Sequence, residues 1–185
     1  VTAAREALLD RCIEVLHAQG FGDLSLREIA AAAGTSHRML NYHFGSRDGL
    51  LAAVVGRIEA TQRAALAALT AGEGDELRAG ATAYWRQLKE PGLAPAERLF
   101  FEIYAHALHG REWTESFRAA VIGAWEAPLV ELLGRVVGPG DARAAARLSL
   151  AVTRGLLLDL LLTKEDEVLD EAMELFGRLL LGRPA

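Results

Sequence analysis

Apolar positions along the chain recur at intervals of three and four residues, and no segment alternates residue by residue as a strand would. Leu8, Leu9, Cys12, Ile13 and Leu16 form the first such stripe, and Gly20 marks the end of that helix. Ser25-Leu-Arg-Glu28 has the spacing of a capping box, in which hydroxyl and carboxylate satisfy each other's backbone amides. A short second helix is therefore predicted through Ile29, Ala30 and Ala33 to Gly34, and Thr35-Ser36 offers the cap for a third over 37–43. Gly45-Ser46 interrupts the pattern before a long helix over 47–69, which Gly72-Glu-Gly74 should end. Further helices are predicted over 75–89, 95–109, 112–137 (kinked at Pro128), 141–162 and 165–181. Pro91-Gly92 and Gly138-Pro-Gly140 punctuate them.

Two short helices joined by a glycine-containing turn and preceded by a supporting helix have the layout of a helix-turn-helix. Small residues at Ala30 and Ala33 let the two helices cross closely, and Leu40 and Phe44, four apart, should bury one face of the third. That leaves His37, Arg38, Asn41, Tyr42 and His43 pointing outward. Such side chains suit a groove: arginine addresses guanine or phosphate, and asparagine addresses adenine. Ser25, Arg27, Tyr42, His43 and Arg47 are natural phosphate donors, with Arg47 at the first turn of the long helix, where backbone amides also favour an anion. The competing interpretation of the same pattern is a helical corner whose arginines are only solvated.

Charge narrows the picture. The formal net charge is −5, so any hold on DNA must come from a local basic surface. The first fifty residues carry five arginines against six acids, yet between Ser25 and Arg47 there are three arginines and a single glutamate. A basic arm ahead of Val1 would add to that charge. Apolar residues make up 51 % of the 185, which is ample for a core, and aromatics only 6 %. The single cysteine, Cys12, excludes an internal disulfide framework, suits a reducing cytoplasm and is expected as inert packing. No signal-peptide pattern or membrane-length apolar run occurs, so a cytoplasmic location without membrane association is expected.

The run Leu24-Ser-Leu-Arg-Glu-Ile-Ala-Ala-Ala-Ala-Gly-Thr-Ser36, followed by Leu40-Asn-Tyr-His-Phe-Gly-Ser-Arg-Asp-Gly-Leu50, resembles the DNA-binding domain of tetracycline-repressor-type (TetR family) regulators. The resemblance covers about residues 5 to 55; beyond them only the all-helical layout agrees. It implies DNA contacts from Ser25 and Arg27 on the second helix, from His37, Arg38, Met39, Asn41, Tyr42 and His43 on the third, and from Arg47 on the fourth. Asn41 stands where the family commonly has tyrosine, which weakens any operator inferred from relatives, and Arg47 replaces a usual lysine. The fold class expected is all-α, with a helix-turn-helix domain over 1–46 and a helical ligand-binding and dimerisation domain over 47–185, linked by the helix over 47–70.

The penultimate helix is apolar nearly all round, from Leu148 through Leu162, and the last adds Val168, Leu169, Met173, Leu175, Phe176, Leu179, Leu180 and Leu181. Such a pair must be covered on every side, either as an enclosed hairpin in a monomer or by the same pair from a second copy through about residues 141–181. Family resemblance points to the homodimer, a repressor on a palindromic operator released by a small, largely hydrophobic effector. Candidate pocket residues are Tyr84, Trp85, Phe101, Tyr104, Phe117 and Trp125, with Arg154 as a polar insertion, although each aromatic alone also suits core packing. Glu102, His106, His109 and Trp113 recur at four, three and four, one helical face that suits a polar handle, a metal site or a solvated surface. No further metal ligand is evident, and neither metal nor cofactor is expected. Nucleophile elbow, phosphate loop and metalloprotease motifs are lacking, so an enzyme is not expected. The alternative function is a DNA-associated interaction module with no small ligand.

Overall fold

The computed structural model describes residues 2–20, 24–69 and 75–181, and these are helical throughout apart from short turns. The break expected at Gly72–Gly74 lies outside the described residues. Ten α-helices follow in order: α1 Thr2–Gln19, α2 Leu26–Ala32, α3 His37–Phe44, α4 Arg47–Leu69, α5 Asp75–Leu88, α6 Ala94–Leu108, α7 Glu115–Ala120, α8 Gly123–Val137, α9 Ala142–Thr163 and α10 Asp166–Leu181. They group into two compact units, one formed by Val1–Thr61 with Pro95–Ala119, the other by Gln62–Ala94 with Ala120–Ala185.

In the first unit α1 packs on α2 and α2 on α3. Leu8, Leu9, Cys12 and Leu16 of α1, Leu26, Ile29 and Ala30 of α2, and Leu50, Leu51, Val54 and Val55 of α4 are all buried. The stripe that defines α1 is thus a core stripe, and Gly20 ends it with φ +74° while its amide returns to the Leu16 carbonyl. Cys12 is fully buried, and that burial pushes its thiol up to about 11 against a smaller opposing effect of Arg11, so it stays protonated and unreactive. Outside the core, Arg57 of α4 binds Glu6 and Asp10 of α1, while Arg11 Nε donates to the Ala33 carbonyl at 3.1 Å.

One expected element is divided. The helix predicted over 112–137 is a 3₁₀ turn at Glu112–Thr114, then α7, then α8. The interruption has a visible cause: the Val121 carbonyl accepts from Arg154 Nη2 at 2.9 Å, and the Trp125 amide, which would otherwise donate to it, turns to Ile122. Pro128 does not divide the helix; it lies inside α8.

In the second unit α8, α9 and α10 pack on one another. Leu133, Ala145 and Ala146 form one buried cluster with Leu129, Val130, Val137 and Leu180 against it. A polar clasp joins α5 to α10. Lys89 reaches Asp166 and Asp170 at 2.7 Å each, and the indole N–H of buried Trp85 donates to Asp170 at 2.7 Å. Burial opposes ionisation of Asp170, but the Lys89 and Trp85 bonds outweigh it and hold the carboxyl below its ordinary 3.8. Lys89 is likewise held above its ordinary 10.5, its two carboxylate partners overcoming desolvation.

A stability test follows. Asp170→Ala leaves the Trp85 N–H without its acceptor and should cost about 1–3 kcal/mol. A depressed carboxyl contributes above its unfolded value and loses that contribution as pH falls through the folded one. The Lys89 contribution is fully present below its unfolded value and lost only as pH rises through the folded one. The Tm gap between wild type and variant should hold at neutral pH and narrow below about pH 3.8; a gap that persists there would show the clasp is not ionic.

Candidate nucleic-acid interface

The Ser25–Glu28 box forms as its spacing requires: the Glu28 amide donates to Ser25 Oγ at 3.3 Å and the Ser25 amide to Glu28 Oε2 at 2.8 Å. Hydrogen bonds to the carboxylate from the Ser25 side chain and from the Ser25 amide hold the Glu28 carboxyl below its usual range. Ser36, rather than Thr35, caps α3, accepting from the Met39 amide at 3.2 Å. Between the helices Gly34 adopts φ +65°, a left-handed conformation that a side chain would disfavour, and this produces the tight turn.

α3 then presents two unlike faces. Leu40 is fully buried and Phe44 nearly so, the Phe44 ring lying under the Arg5 guanidinium at 4.9 Å. His37, Arg38, Met39, Asn41 and Tyr42 are exposed, Tyr42 by 71 %, and His43 is half-buried. Ser25 and Arg27 are exposed beside them in sequence on the first turn of α2. A protruding helix bearing donors for base edges, on a base that bears donors for phosphate, has the chemistry needed to enter a major groove.

Arg47 is held differently from the others. It is half-buried, and its Nε donates to the Leu24 carbonyl at 2.7 Å, tying the start of α4 to the segment ahead of α2. Sequence reasoning treated it purely as a phosphate donor; the structure gives it a bracing role within the motif. Gly49 has a comparable part. A Cβ there would lie 2.1 Å from the Phe44 carbonyl oxygen, so α3 and α4 approach at a distance only glycine permits.

The candidate pocket residues fall into two groups. In the first unit Phe101, Tyr104 and Phe117 gather around Phe100, with the Tyr104 and Phe117 rings perpendicular and 5.1 Å apart. His106 lies 5.2 Å from Trp113, His109 is exposed, and Glu102 stands against the end of α1, where a Cβ on Gly20 would meet its Oε1 at 3.0 Å. Glu102 and His106 lie on α6, whereas His109 follows that helix and Trp113 stands on the 3₁₀ turn after it. No three His, Cys, Asp or Glu side chains among the described residues converge as a metal would need. In the second unit Tyr84 packs against the Trp125–Leu150 cluster and Arg154 lies over the Trp125 ring, whereas Trp85 is held by Asp170. Sequence reasoning missed Glu59 and Glu97, which are 4 % and 3 % exposed. Their signal was weak, because each shares its helix with another acid, Asp48 in α4 and Glu102 in α6.

Among the described residues no helix is long and apolar enough to cross a membrane. The family model for bacterial regulatory proteins of the tetR family matches residues 8–54, the segment that holds the capping box, the turn and α3. No curated protein matches the chain. Solved structures share its fold along nearly its whole length. A transcriptional regulator from Rhodococcus sp. Rha1 is 20 % identical with a TM-score of 0.83, covering 98 % of this chain and 99 % of that one. A TetR-family regulator from Pectobacterium atrosepticum is 25 % identical with a TM-score of 0.70, covering 100 % and 97 %. The multidrug binding protein EbrR, solved with imidazole, is 27 % identical with a TM-score of 0.72, covering 100 % and 93 %; it has also been solved with malachite green. The helix-turn-helix segment over residues 8–54 thus matches the model for bacterial regulatory proteins of the tetR family, and the all-helical body shares its fold with solved TetR-family regulators.

Proposed function

We propose that the protein is a transcriptional repressor that binds a palindromic operator as a homodimer and is released by a small, largely hydrophobic effector. It acts in the cytoplasm, with residues 1–46 as the DNA-binding domain, 47–185 as the sensing and dimerising domain and 47–70 as the link. The observation that carries this reading is α3, where His37, Arg38, Asn41 and Tyr42 face solvent above an underside closed by Leu40 and Phe44. Ser25, Arg27, Met39, His43 and Arg47 complete the DNA contacts, Arg47 through whatever reach its bond to Leu24 leaves.

Dimerisation is supported by what a single chain leaves uncovered. Leu148, Leu158 and Leu162 of α9 and Val168, Leu175 and Leu179 of α10 are 42–77 % exposed, and a soluble protein covers such a surface. An isologous four-helix contact would do so and would set two recognition helices about one DNA turn apart, roughly 34 Å. The effector shifts the population by binding better to an arrangement that does not fit that spacing. A ligand-bound relative such as EbrR supports an effector for this chain as well.

The test is selection of bound sequences from random DNA by the purified protein, followed by gel shift across a panel of small hydrophobic compounds. An enriched inverted repeat whose complex dissociates with one compound is the expected result. Failure to enrich any repeat would remove the DNA-binding reading, and a repeat indifferent to every compound would remove the effector.

A further inference from the structure

Trp125 is 4 % exposed, in the first turn of α8. Around it are Leu150, Tyr84, Ala124 and Leu129, all apolar contacts. Its indole N–H is buried, and among the described residues no acceptor lies within hydrogen-bonding reach of Nε1. Buried donors are almost always satisfied, because a core that strips water from an N–H and returns nothing loses its full hydration. Phenylalanine would fill the same space without that loss. An indole at this position is informative because its neighbour carries the same polarity. Arg154 places Cζ 5.9 Å from the Trp125 ring centroid and is half-buried, in the middle of α9. One of its nitrogens donates to the Val121 carbonyl at 2.9 Å, which fixes the guanidinium beside the start of α8.

Two donors of different kinds, the neutral indole of Trp125 and the cationic guanidinium over its ring, thus share an apolar surround. Their common complement is an oxygen acceptor, and beside a guanidinium a carboxylate is favoured over a hydroxyl. The surround of Tyr84, Leu129 and Leu150 suits a flat apolar body. We infer that Trp125 and Arg154 anchor the effector through an oxygen anion, and that the effector class is a small aromatic carboxylic acid. The inference rests on the effector-responsive reading above and names its chemistry. Trp85 provides a contrast within the same unit: its N–H is already held by Asp170, so it offers nothing to a ligand.

The experiment uses four probes of one size, benzoate, benzyl alcohol, benzylamine and toluene, with the full chain labelled at its three tryptophan indoles. Indole N–H resonances are assigned from Trp125→Phe and followed by NMR. Benzoate should move the Trp125 signal downfield and leave that of Trp85 in place. It should bind at least about tenfold more tightly than toluene or benzylamine, and Arg154→Met should remove most of its advantage over benzyl alcohol. Trp125→Phe should lower benzoate affinity by a similar factor, with circular dichroism confirming an unchanged fold. A Trp125 signal indifferent to benzoate, or equal affinity for benzoate and toluene, would overturn the anchor; equal affinity for benzoate and benzyl alcohol would overturn the anionic class. Operator gel shift in parallel separates the two layers. Benzoate that engages Trp125 without affecting operator binding upholds the site and removes its coupling to DNA. Operator release by a non-acidic compound, with Trp125 undisturbed, leaves the regulator and sinks this site.

Discussion

Arg38→Ala should reduce specific operator affinity by roughly a hundredfold or more while leaving the fold intact. A bidentate arginine–guanine contact contributes about 1–3 kcal/mol, and a dimer loses two of them. Arg38 is exposed on α3 and belongs to no cluster of the core, so truncation disturbs nothing beneath it. The salt dependence tells which contact is lost. If Arg38 reads a base, the slope of log affinity against log salt should stay nearly constant and discrimination at one base pair should relax. If it neutralises phosphate, the slope should flatten by about 1.8, or 0.9 for each of two charges, with sequence preference intact. Unchanged affinity by gel shift would remove α3 from the interface.

The second large effect concerns the seam. Leu148, Ala151, Gly155, Leu158 and Leu162 follow one another at three, four, three and four residues along the exposed side of α9, the spacing of a helix–helix contact line. At its centre Gly155 has open space around it, since a Cβ there meets nothing within 4 Å. Gly155→Glu is therefore harmless to the isolated protomer, where glutamate is the better helix former, and places a charge at the middle of the proposed interface. The variant should sediment as a monomer at micromolar concentration, keep its helical signal and lose about 10²–10⁴-fold in operator affinity, because two half-sites are no longer engaged together. A dimer that survives the substitution with full operator affinity would place the seam elsewhere.

What could be read from the sequence was whatever is decided locally. The Ser25–Glu28 box, the turn at Gly34 and the Leu40–Phe44 underside each depend on neighbours within a few residues, and each formed as its spacing demanded. The interruption at residues 121–122 was not legible. It depends on Arg154, 33 residues away, taking the Val121 carbonyl out of the helical ladder. Arg47 had two partners to choose from, phosphate outside and Leu24 inside, and composition does not distinguish them. The aromatics of the middle helices shared one description in the sequence because each fits a core equally well. Only tertiary packing sorts Phe101, Tyr104 and Phe117 from Tyr84 and Trp125, or shows that Trp85 has an acceptor while Trp125 has none among the described residues. Glu59 and Glu97 escaped for the same reason, since an acid in an amphipathic helix is ordinarily placed in solvent.

The absent side chain at Gly49 has a mechanical meaning. With the Phe44 carbonyl seated where a Cβ would be, no compressible layer separates the end of the reading rod from the first turn of its neighbour. A joint without padding has no backlash: a sideways displacement delivered to that turn reaches Arg38 and Asn41 undiminished. Even a methyl group inserted there would act as a shim, tilting the rod away from its seat before any signal arrived.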